Sequence, residues 1–166
     1  ALSHKDSMGN KRAIEVGEIQ VMSAGTGLTH SEFNDSKTEA VNFLQLWIIP
    51  EAMGVQPNYE QRSFSSAGRH NQLQTVVAPK DKIEDDALPI SQQAYIYRAE
   101  LDDNKSLNLT LKSEQNGVYV FVVDGEVTID GQNFSKRDAV GIYETDHLFI
   151  NANKNSELIL IEVPMQ

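Results

Sequence analysis

Leu107, Leu109 and Leu111 alternate with Asn108 and Thr110, the two-residue period of a strand with one buried face. Residues 94–101, 118–123, 126–130, 139–143, 147–150 and 158–163 read as further short strands at jelly-roll spacing. Asp124-Gly125 and Asp130-Gly131 fall between such runs and predict type I′ hairpins, because both central residues of that turn need positive φ. In the first half, residues 19–22 predict a strand. Residues 41–49 are nearly all apolar and predict a longer one buried on both faces, ended by Pro50. Prolines and glycines then crowd a long stretch up to Pro89, which reads as an irregular, surface-wrapped connection with a helical turn at most. The pattern is all-β.

Composition changes this picture little, but it removes several functions. With 40% hydrophobic residues the chain can bury a core. A net charge of −10 with scattered Lys and Arg argues against binding nucleic acid or an anionic membrane surface directly. The absence of cysteine excludes disulfides, thiolate metal sites and cysteine nucleophiles. No apolar run reaches the length of a membrane span, and the first residues lack the pattern of a signal peptide, so a cytoplasmic protein is expected.

The candidate chemistry sits at His30 and Glu32. Two positions apart on a strand, they point to the same side and deliver an imidazole and a carboxylate into one space. Such mixed donors suit a divalent metal such as iron. The bare spacing is a weak signal, and His4, His70 and His147 offer no second close pair. Gly25 and Gly27 lack the third glycine and lysine of a phosphate loop and read as a positive-φ turn ahead of the ligand strand. His4 shares parity with Leu2 and is expected to be a partly exposed strand residue, with a supporting place behind the metal as the alternative. His70 is expected in a solvated loop, and His147 at a core boundary with a backbone partner. Trp47 is expected in the core beside Gln45, a weak candidate substrate donor. Glu84-Asp85-Asp86 lacks calcium-loop spacing and reads as solvated surface. A faint repeat relates His30 and Asn34 to His147 and Asn151, with Phe149 where Glu32 stands.

Five segments carry a resemblance: Asp6-Ser7-Met8-Gly9-Asn10; residues 17–27, which end in Ser23-Ala24-Gly25-Thr26-Gly27; His30-Ser31-Glu32; Gln45-Leu46-Trp47-Ile48; and Tyr59-Glu60-Gln61-Arg62. In that order and spacing they resemble the pirin family of bicupins, above all bacterial members of the quercetin 2,3-dioxygenase type. The resemblance implies tandem cupin jelly-roll barrels, with metal held by a His-x-His pair and a His-x-Glu pair. His30 and Glu32 match the second pair, and Glu32 is the implied base. No His-x-His occurs here, so the resemblance implies an N-terminally truncated member.

The expectations follow. Residues 1–50 form the second half of an incomplete N-terminal barrel, 51–93 the connection, and 94–166 a C-terminal cupin-like barrel without a metal site. The longer protein is expected to hold Fe(II) or another divalent metal and to open the ring of a flavonol-like substrate. The present chain is expected to lack the metal and to be inactive. The alternative is a non-enzymatic, metal-dependent regulator that binds a protein partner. The open half-barrel is expected to form a homodimer through residues 1–50.

Overall fold

The computed structural model describes residues 1–83 and 86–165. Its second half follows the alternation closely. β8 (Tyr95–Leu101) and β9 (Ser106–Thr110) bury every second residue, and β14 (His147–Ala152) and β15 (Ser156–Pro164) do the same. With β6 (Gln74–Pro79), β7 (Leu88–Ile90), β10 (Asn116–Asp124), β11 (Glu126–Ile129), β12 (Gln132–Ser135) and β13 (Ala139–Ile142) they make two sheets. One has the order β13-β10-β15-β8-β6-β7 and the other β12-β11-β14-β9. Every pairing is antiparallel except β6 with β7. Leu107, Leu109, Leu148, Ile150, Leu158 and Leu160 meet in the core between the sheets. Side chains as enclosed as Leu158 and Leu160 each contribute about 1.5–3 kcal/mol relative to exposure.

The first half is thinner. β1 (Leu2–Asp6) lies between β2 (Lys11–Ile14) and β4 (His30–Asn34), and β3 (Glu18–Ser23) pairs with β5 (Asn58–Ser63). These two sheets do not close into a barrel among the described residues. Ile19 and Val21 of β3 pack on a second apolar cluster of Phe64, Val76, Val77 and Leu88, which ties the first half to the second. No helix of the described residues is long and apolar enough to cross a membrane.

Three expectations need correction. Residues 41–49 form no strand, and Trp47 and Ile49 are 87% and 81% exposed. An apolar run becomes a strand only when a neighbour takes up its N–H and C=O groups, and no described strand runs beside this one. Residues 51–93 are not irregular throughout. They carry β5, β6, β7 and a 3-10 turn, Ser66–Gly68. β5 alternates too weakly to be read alone and is held by its register with β3. Finally, Asp124-Gly125 closes no hairpin, because β10 and β11 belong to different sheets. Only Gly125 has positive φ there, and it turns the chain from one sheet to the other. Asp130-Gly131, with φ of 49° and 75°, does close the β11–β12 hairpin between Ile129 and Gln132.

Candidate metal centre

β1 decides what meets in the first half. Its register with β4 sets His4 opposite Glu32 and Asp6 opposite His30. Directly opposed residues share a face, and so do residues two apart, so all four side chains turn to one side. The turn before β4 is placed by Gly25, at φ 55°. A Cβ there would lie 2.1 Å from the carbonyl oxygen of Val55, so only glycine fits.

Asp6 is clamped from below. Its carboxylate accepts from the Met8 N–H at 2.9 Å, the Asn10 N–H at 3.0 Å and Asn10 Nδ2 at 2.7 Å. Burial works to raise its pKa, but the donors of Asn10, His4 and Met8 outweigh it, and the carboxyl titrates below the usual Asp value. Oδ2 also lies 3.4 Å from Nε2 of His4. His4 is fully buried. Its ring stacks on His30 with centroids 5.6 Å apart and leans on Tyr59 at 4.9 Å. Tyr59 donates its hydroxyl to Gln61 Oε1 at 2.7 Å. Burial pushes its phenol pKa up, so the proton stays on. Nδ1 of His4 has no hydrogen-bond partner, and Glu32 Oε1 lies 3.7 Å away.

His30 and Glu32 are brought together as the spacing predicts. His30 is exposed, and the Glu32 side chain is 16% exposed. Nitrogen and carboxylate oxygen on one open face fit a divalent first-row metal in kind. In number they fall short, since among the described residues no three His, Asp or Glu side chains gather as a metal cage.

His4 overturns its expectation. It is not partly exposed, because Tyr59 of β5 covers the face that parity alone leaves open. The available signal was the second i, i+2 pair, His4 and Asp6, which mirrors His30 and Glu32. Tyr59 was legible only as part of a motif. His147 is also misplaced by the sequence reading. β14 turns Leu148, Ile150 and Ala152 inward, so His147 is exposed, with Nδ1 2.5 Å from Asp146 Oδ1. Phe149 and Asn151 face out with it, so the repeat seen in sequence does not recreate an inward-facing site. His70 is exposed in its loop, 3.4 Å from Asp102. Trp47 and Gln45 are exposed rather than core, because their segment has no partner strand. Glu84 and Asp85 lie outside the described residues; Asp86 is exposed and faces Arg62 at 3.7 Å.

The chain matches known proteins along nearly its whole length. Residues 1–48 match the family model described as Pirin, and residues 75–163 match that of the quercetinase C-terminal cupin domain. The chain is 39% identical to quercetin 2,3-dioxygenase of Escherichia coli (strain K12) over 164 residues, spanning 98% of this chain and 68% of that protein. A pirin-like protein of Caulobacter vibrioides is 31% identical, over 98% of this chain and 68% of its own length. The crystal structure of YhhW from Escherichia coli superposes with a TM-score of 0.91 at 37% identity, covering 98% of this chain and 67% of that one. The structure of the same bacterial pirin in complex with nickel(II) gives 0.89 at 36% identity, over 98% and 68%.

Proposed function

The chain belongs to the pirin family of cupin proteins, and from that premise we propose that it carries half of the metal centre of a quercetin 2,3-dioxygenase-type oxygenase. The observation that carries the reading is the shared face of His30 and Glu32 beside the buried His4 ring. His30 and Glu32 would hold the metal, together with a His-x-His pair supplied from outside these 166 residues. When bound, a divalent metal such as Fe(II) or nickel(II) supplies Lewis acidity toward a flavonol hydroxyl and open positions for dioxygen. Glu32 is the group placed to take the hydroxyl proton of a substrate seated on the exposed side of β4. Tyr59 and His4 wall the other side and keep water from it.

The complete gene product, reconstituted with nickel(II) or iron(II) in air, is expected to consume quercetin, followed by loss of the flavonol absorption band. His30→Ala should abolish both metal retention and consumption. Metal retention without consumption, together with metal-dependent capture of a protein partner, would support a regulator instead. The 166-residue chain alone is expected to keep well under one equivalent of metal through dialysis, because two donors hold a divalent ion weakly. A full equivalent, lost in His30→Ala, would show that its own residues complete the centre.

A further inference from the structure

We propose that His4 is a positioning residue for the Glu32 carboxylate, braced in turn by Asp6. This rests on the metal reading above and extends it to a residue outside the ligand pairs. The observation is an orphan: Nδ1 of a fully buried imidazole has no partner. Buried polar atoms without a partner are rare and costly, and they mark places where something else completes the arrangement. Here the facing atom is Glu32 Oε1, at 3.7 Å. On the other edge of the ring, Nε2 faces Asp6 Oδ2 at 3.4 Å. Both neighbours are carboxylate oxygens, so each edge of the ring is aimed at an acceptor.

The ring is also held on its faces. His30 stacks on it and Tyr59 leans against it, so it has little freedom to turn. Asp6 is fixed by the Met8 and Asn10 donors, so the anchor itself does not move. The order of support therefore runs from the turn at residues 6–10, through Asp6 and His4, to Glu32. A carboxylate that ligates a metal needs its second oxygen held, because a loose carboxylate swings between one- and two-oxygen binding. A small turn of the Glu32 side chain closes the gap to Nδ1 and fixes the other oxygen toward the open side of β4.

The test uses the complete gene product and nickel(II) as the probe. His4→Gln keeps an amide near the Nε2 place and removes the group that faces Glu32. His4→Asn does the reverse, setting its amide nitrogen near the Nδ1 place. His4→Gln is expected to weaken nickel(II) binding about 10- to 100-fold and to shift the visible nickel(II) absorption bands. His4→Asn is expected to keep the affinity and bands of the unchanged protein. Asp6→Asn, which loosens the anchor but leaves the ring, should weaken binding less than His4→Gln. It serves as the informative variant if His4→Gln melts without metal well below the others. Equal affinity and bands in His4→Gln and the unchanged protein would overturn the proposal, as would His4→Asn binding as weakly as His4→Gln. An unchanged protein that takes up no nickel(II) overturns the metal reading itself, a different result from either.

Discussion

At the scale of single residues, the sequence showed donors but not their cover. His30 and Glu32 were legible because a two-residue spacing on a strand says which side both face. His4 carried the same information, yet parity tells the face and not what lies over it. That cover comes from Tyr59, on a strand far along the chain. Asp6 has a consequence of its own for stability. Its carboxyl titrates below 3.8 when folded, so it contributes stability above the unfolded value that is lost as pH falls through the folded one. Urea melts between pH 7 and pH 2 should therefore show Asp6→Asn less stable than the unchanged chain at neutral pH. The gap should narrow as the pH falls below the usual aspartate range. A gap that stays constant down to pH 2 would remove the Asp6 charge from the account.

At the scale of elements, strands with partners were legible and strands without them were misread. The alternation in β9 and β15 worked because a packed sheet lies opposite each. Residues 41–49 have strand composition and no partner, so composition misled. Asp-Gly was right at 130–131 and wrong at 124–125 for a related reason: the dipeptide names a positive-φ turn, not which strands it joins. Gly125 turns the chain between sheets at φ 89°, against Asn155 and Ser156. A Cβ there would lie 2.3 Å from the Asn155 carbonyl oxygen and 2.4 Å from Ser156 Oγ. Ser156 Oγ is itself engaged, accepting from the Glu126 N–H at 3.0 Å and bonding Lys154 O at 2.8 Å. Left-handed backbone alone costs a residue with a Cβ about 1–2 kcal/mol, and the overlap adds to it. Gly125→Ala should lower unfolding free energy by at least about 1 kcal/mol in chemical denaturation. Gly131→Ala, which meets open space, should cost less.

At the scale of the whole molecule, the two halves differ in how much holds them. The main core draws all its buried members from Ala78 to Leu160. The first half has one three-stranded sheet and one two-stranded ribbon, and a two-stranded ribbon is marginal by itself. Native-state hydrogen exchange should therefore concentrate protection in β8, β10 and β15, with faster exchange in β2 and β4. Equal protection in β2 and β4 would count against that ranking.

The same imbalance leaves surface that asks for a partner. Among the described residues no strand pairs with the outer edges of β2 and β4, so a row of N–H and C=O groups stays open on each. Phe43, Trp47, Ile49 and Met53 are all more than half exposed on one segment that belongs to no strand. Leu46, Trp47, Ile48 and Ile49 border a groove of about 340 Å³ whose other wall is Ile161, Val163 and Pro164. Apolar area left in water forgoes about 25 cal/mol per Å², and contiguous patches of this kind mark association surfaces. A second copy offers the same edges and the same side chains, which is what a symmetric pair requires. The 166-residue chain is expected to self-associate at micromolar concentration, read by light scattering across a dilution series. Replacing Trp47 and Ile49 together by serine should shift the series toward monomer without changing the melting of the second half, which packs on its own core. A chain that scatters as a monomer throughout would show that the segment at 41–53 finds its cover within one molecule.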